Sequence, residues 1–155
     1  MPSLQIIYAS TSGHTEYVVQ KIADELRRTN SGIVVHTQRA ENATAEDLQR
    51  GDALLLGSGT WNTGGIEGQL NPHMHEFLHD RANHADLKKK NVFIVSLGDD
   101  RYRYTTRAGG HLRTFAVAHG GIVIEPILTI VNEPYDKEAV IVAWTKRLAH
   151  SISGA

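Results

Sequence analysis

Six residues near the start of the chain, Ser10-Thr11-Ser12-Gly13-His14-Thr15, put four hydroxyls and a glycine where an apolar run gives way to a segment with helical spacing. The opening of a helix leaves backbone N–H groups unpaired, and its aligned peptide dipoles favour an anion there. Hydroxyls can donate to that anion without adding positive charge, and Gly13 lets the backbone come close. The stretch holds no lysine or arginine, so it departs from the GxxxxGK[ST] loop that cradles nucleoside triphosphates. A charge-free nest suits a single phosphate monoester. The same residue types also make an ordinary helix cap, so the choice turns on what else reaches this place.

Two later segments bear on that choice. Gly57-Ser58-Gly59-Thr60-Trp61-Asn62-Thr63-Gly64-Gly65 places an indole among small residues and further hydroxyls, with little local core for the ring to enter. Its first glycines imitate GxGxxG, but Asn62 stands where the third glycine belongs. Gly98-Asp99-Asp100-Arg101-Tyr102-Arg103-Tyr104-Thr105-Thr106 places two tyrosines two residues apart. A planar ligand would cover such aromatic rings.

Other chemistries find less support. The chain has no cysteine, which removes disulfides, thiolate metal sites and thiol nucleophiles. Its formal net charge of −1 argues against a nucleic-acid partner. Among nine histidines, His73, His75, His79 and His84 are grouped, and His75 and His79 have the i, i+4 spacing that can chelate a transition metal. No HExxH accompanies them and no carboxylate completes a site, so the expectation is a polar helix face and no metal. No Ser-His-Asp arrangement or nucleophile elbow is present, so no catalytic residue is expected.

The positioning elements follow from the apolar periodicity. Leu4–Ala9, Ile33–Thr37, Ala53–Gly57 and Val92–Leu97 read as strands. A fifth is formed by Ile122–Ile124 and Ile127–Val131, interrupted at Glu125-Pro126. Helices are predicted over Thr15–Arg28, Ala45–Gln49 capped by Thr44, Asn71-Pro72 to about Arg81, Ala108–Ala118, and Tyr135–Ser151. The alternation specifies an α/β fold, a doubly wound three-layer sandwich with a parallel sheet and helices on both faces. Its 155 residues suit one domain, 1–155. Ligands of such sheets bind beyond the carboxyl ends of the strands, where all three loops emerge. A phosphate nest between two aromatic walls fits a phosphorylated planar ring. No secretory leader or membrane-spanning run is read, so a monomer in the cytoplasm is expected.

At this level of detail the chain resembles the flavodoxins. Ser-Thr-Ser-Gly-His-Thr at 10–15 resembles their (S/T)-x-(S/T)-G-x-T phosphate loop. Leu-Leu-Leu-Gly-Ser-Gly-Thr-Trp at 54–61 and Gly-Asp-x-x-Tyr-x-Tyr at 98–104 resemble the two loops whose aromatics enclose the flavin. The resemblance spans essentially the whole chain and is closest to the short-chain type. It implies a five-stranded parallel sheet of order 2-1-3-4-5 and FMN as cofactor. By the same resemblance Ser10, Thr11, Ser12, Gly13 and Thr15 bind phosphate, with His14 beside the ribityl chain. Ser58, Gly59 and Thr60 lie near the phosphate and ribityl chain. Trp61 and Tyr102 stack on the ring, and Leu97, Gly98 and Asp99 meet the pyrimidine edge. Asn62 follows the stacking Trp, and Tyr104 and Thr106 are peripheral. The implied function is an electron carrier serving a flavodoxin reductase and an electron acceptor; an FMN-dependent quinone or NAD(P)H oxidoreductase is the alternative.

Three departures from the pattern matter. His14 replaces a frequent Asn, and can titrate near neutrality beside a phosphate. Asn62 replaces a frequent Gly and tolerates positive φ less well, so the one-electron-reduced flavin is expected to be less favoured. The chain is nearly neutral where flavodoxins are typically strongly acidic, and Arg101, Arg103 and Arg107 crowd the Tyr102 loop, which would favour the anionic reduced flavin and change the preferred partner.

Overall fold

Strand β1 (Ser3–Ala9) is buried almost throughout, and its side chains alternate between two cores. Ile7 and Ala9 join Leu54, Leu56 and Ile94 on one face of the sheet; Leu4, Ile6 and Tyr8 join Leu55, Phe93 and Val95 on the other. This two-sided burial is why the strands read as continuous apolar runs. Helix α1 (His14–Arg28) covers the second face with Val18, Val19, Ile22 and Leu26, beside α5 (Glu138–Ser153) with Ile141, Trp144 and Leu148. The first face is covered by α3 (Pro72–Glu76) and α4 (Ala108–Ala118), with Met74, Leu112 and Phe115. The short α2 (Ala45–Gln49) starts in the capping box formed by Thr44 and Asp47, and its Leu48 enters the same core. The computed structural model describes residues 2–29, 31–63, 65–99 and 106–153.

The parallel positions run β2 (Val34–Arg39), β1, β3 (Ala53–Thr63), β5 (Asn91–Gly98), then an outer place shared by β6 (Ile122–Val123) and β7 (Leu128–Val131). The expected order 2-1-3-4-5 thus holds, with the fifth strand in two pieces. The chain passes from β1 outward to β2 and then back across to β3, so the switch point lies between the loops that follow β1 and β3. No helix among the described residues is long and apolar enough to cross a membrane.

Three local readings need correction. The segment read as a loop after Gly57 continues as β3 to Thr63 and returns as the antiparallel strand β4 (Ile66–Leu70). The helix expected to run to Arg81 is α-helical only to Glu76 and continues as a π-turn over Phe77–Arg81, closed by Ala82 N–H donating to Phe77 O at 2.9 Å. There Arg81 reaches across to the carbonyls of Ala40 and Ala43, at 3.0 and 2.7 Å. The last helix starts at Glu138, not Tyr135, because Pro134–Lys137 form a turn closed at 3.0 Å.

Candidate functional site

The carboxyl ends of β1, β3, β5 and β7 open into one cleft of about 1120 Å3. Thr11, Ser12, His14 and Thr15 line it from the loop before α1; Gly59, Thr60, Trp61 and Asn62 line it from β3; Leu97, Gly98 and Asp99 line it after β5. Segments more than eighty residues apart in sequence therefore converge. Tyr102 and Tyr104, with Arg101 and Arg103, lie outside the described residues.

Gly13 adopts a left-handed conformation, φ 94°, immediately before α1. That turn leads into His14 and Thr15, which line the cleft, and any side chain at Gly13 would be strained. Behind it the loop is braced. Ser10 Oγ accepts from Glu16 N–H at 3.2 Å, while Ser10 O accepts from Arg39 at 3.1 Å. Arg39 also pairs with the Glu16 carboxylate, which accepts from Tyr8 Oη at 3.1 Å. Burial, reinforced by that carboxylate, pushes the Tyr8 phenol up, so it remains a donor at neutral pH. Thr11 Oγ1 accepts from Asn71 Nδ2 at 3.0 Å. Fully buried Asn71 also caps α3 through His73 N–H, at 2.9 Å, and donates its own N–H to Ser58 Oγ at 3.0 Å. Ser58 in turn donates to Gly59 O at 2.8 Å.

The predicted residues therefore divide. Thr11, Ser12, His14 and Thr15 face the cleft. Ser10 and Ser58 turn inward and hold the loop and β3 in place, and Gly13 supplies the bend. The bracing by Arg39 had no sequence signal, and Asn71 was readable only as a helix cap.

The second wall is the β3–β4 hairpin. A side chain on Gly59 would put its Cβ 3.0 Å from Trp61 Nε1, so the missing side chain leaves room for the indole. Thr60 Oγ1 donates to Leu97 O at 2.9 Å and accepts from Ala108 N–H at 3.1 Å, joining β3, β5 and the start of α4. Thr106 is left-handed at φ 62° and does not line the cleft; its carbonyl accepts from Ser96 Oγ at 2.8 Å.

A further wall comes from segments with no earlier assignment. Glu67 and Gly68 enter from β4, and Asn132, Glu133, Tyr135, Asp136 and Lys137 enter between β7 and α5. Tyr135, 54% exposed, stands edge-on to His14 and Tyr17 with ring centroids 5.7 and 4.9 Å away. The acidic side chains Glu67, Asp99, Glu133 and Asp136 share this rim with Lys137. Of the three arginines expected there, only Arg107 is described, and it is exposed. The rings of His75 and His79 pack 4.5 Å apart, and no group of three or more His, Cys, Asp or Glu among the described residues is placed to hold a metal.

A doubly wound parallel sheet, a helix start open at its switch point and an indole across the cleft define a mononucleotide-binding α/β protein. The family model described as Flavodoxin matches residues 6–144, and the chain belongs to the flavodoxin family. It is 32% identical over 150 residues to a flavodoxin of Maridesulfovibrio salexigens, covering 95% of this chain and 97% of that protein. A flavodoxin of Nitratidesulfovibrio vulgaris is 25% identical over 155 residues, covering 98% and 100% of the two chains. The crystal structure of oxidised flavodoxin 2 from Bacillus cereus superposes with a TM-score of 0.80 at 29% identity, covering 98% of each chain. Flavodoxins bind FMN and transfer electrons, so the chain is an FMN-binding electron-transfer protein.

Proposed function

We propose that the chain acts as a single flavodoxin domain over residues 1–155 and shuttles low-potential electrons between a flavodoxin reductase and an electron acceptor. It works as a cytoplasmic monomer, with neither membrane nor nucleic acid as partner. The observation that carries this reading is the open start of α1 facing the same cleft as Trp61. The N–H groups of the 11–15 loop and the hydroxyls of Thr11, Ser12 and Thr15 would hold the FMN phosphate, with His14 at the loop's outer side. Thr60 and Asn62 would flank the ribityl chain and ring. Trp61 would cover one face of the isoalloxazine, and the backbone of Leu97, Gly98 and Asp99 would meet its pyrimidine edge. Tyr102 is assigned the opposite face, with Tyr104 and Thr106 more peripheral. Ser10, Gly13 and Ser58 support these residues from behind.

Bound FMN supplies the redox chemistry, so the chain needs no acid, base or nucleophile of its own. Its residues bind the phosphate, orient the ring and leave one edge open for electrons.

Titrating the apoprotein with FMN and with riboflavin tests the phosphate assignment. Two charge-assisted hydrogen bonds amount to about 100-fold in Kd, so FMN should bind at least that much more tightly. Equal affinities would overturn it. Rapid mixing of the holoprotein with NADPH tests the carrier role: reduction is expected only when a separate reductase is added, and fast direct reduction would make the protein an oxidoreductase.

A further inference from the structure

The hairpin that carries Trp61 is not a regular ladder. Trp61 pairs with Gln69 and Thr63 with Ile66, so Glu67 and Gly68 on β4 together oppose Asn62 on β3. This bulge lies directly across from the residue that follows the indole, and both its members line the cleft. Gly68 has φ 80°, a left-handed conformation that glycine takes readily. Its carbonyl is met from outside the hairpin, by His111 Nε2 of α4 at 2.8 Å. A carbonyl can only accept, so Nε2 carries the proton.

One turn earlier on the same helix, Ala108 N–H donates to Thr60 Oγ1 on β3. Helix α4 thus holds both strands of the hairpin, one just before Trp61 and the other at the bulge opposite Asn62. The first hold is a backbone donor fixed by the helix start. The second is made by a side chain, that of His111. Among the described residues β4 pairs with β3 alone, and it lies off the main order of the sheet. Release of its bulge therefore changes the cleft wall without removing a strand from either core.

We infer that His111 is a positioning residue: its Nε2–H holds the Glu67–Gly68 bulge and thereby sets Trp61 and Asn62 for the flavin. The inference rests on the cofactor placement proposed above. Protonation does not break the hold, because both nitrogens of an imidazolium donate.

His111→Ala and His111→Gln test it, since the amide N–H of Gln reaches about as far as Nε2 of His. In the apoprotein, hydrogen exchange at the Trp61 and Gln69 amides should quicken about tenfold in His111→Ala, as expected for one lost hydrogen bond. The Trp61 indole 1H–15N resonance should shift or broaden. FMN should bind about tenfold more weakly, while exchange in β1 and β5 stays as in the wild type. His111→Gln should restore all three readouts. Unchanged hairpin exchange and FMN affinity in His111→Ala would overturn the inference. So would exchange that quickens equally across the whole sheet, or a His111→Gln variant as impaired as His111→Ala. Failure of the wild-type protein to bind FMN would overturn the functional reading instead, and the apoprotein exchange result would still decide the role of His111 in the hairpin.

Discussion

Helices α1 and α4 start at the same edge of the sheet, after β1 and β5, in segments that carry threonine and glycine, yet their first turns are used in opposite ways. At α4, Ala108 N–H is taken by Thr60 Oγ1, and Gly109 N–H by Ser96 Oγ at 2.9 Å. At α1, Ser10 Oγ takes only Glu16 N–H among the described residues, and Thr11, Ser12, His14 and Thr15 face the cleft. A hydroxyl-rich helix start is therefore not an anion site by composition. A left-handed residue precedes each helix, Gly13 at α1 and Thr106 at α4, so the difference lies in what reaches the first turn: hydroxyls of β3 and β5 at α4, the cleft at α1. At α4 the strands themselves satisfy the helix.

The largest expected effect separates the two directly. Ser12→Asp puts a carboxylate where the phosphate is placed, and like-charge repulsion at close range should weaken FMN binding on the order of 100-fold. The same carboxylate suits the α1 dipole, so the thermal midpoint should hold or rise, in line with about 0.3–1 kcal/mol of helix stabilisation. Fluorescence titration and a melting curve read both, and undiminished FMN affinity would break the comparison. At the other helix the signs reverse. Ser96→Ala removes the shorter of the two bonds made by the buried Gly109 N–H and leaves it the longer one to Thr106 O at 3.3 Å, so urea denaturation should show a loss of about 0.5–1.5 kcal/mol. FMN affinity should change far less than in Ser12→Asp.

The smallest effect concerns acid, which should act through the side chains packed near α4. Burial, together with the neighbouring imidazoles of His75, His111 and His119, holds His79 below its ordinary value of 6.5. As pH falls through that value the unfolded chain takes up a proton that the folded chain resists, so stability declines toward lower pH. His79→Gln should flatten the stability profile between about pH 7 and pH 5, measured by urea denaturation at stepped pH. An unchanged slope would show that this imidazole is not the group responsible.

How far the sequence carried depends on which forces are local. Strands β1, β3 and β5 were legible because both faces are buried, which leaves continuous runs such as Ala53–Leu56 and Val92–Val95. The 10–15 loop and Trp61 were legible because their residue types are improbable as a core. Strand β4 was not. It has five residues, an exposed Ile66 and a bulge at Gly68, and its existence depends on pairing with β3 and on the hold from α4. Tyr135 was read as the start of the last helix, although it lies in the Pro134–Lys137 turn, beside His14. Ser10 and Ser58 share the hydroxyl of Thr11 and Ser12, and only tertiary structure tells the inward pair from those facing the cleft.

The bond from Asn71 to Thr11 joins positions sixty residues apart. The same buried side chain caps α3 and sits against Ser58 of β3. The shape of the 10–15 loop is therefore a long-range property, although its residues sit in one short run. During refolding, α1 can form from local contacts, but its loop cannot take its final shape until β3 and α3 have docked. Competence for FMN then arrives together with the central sheet, and a chain folded only through its first helix would present the binding motif without the binding site.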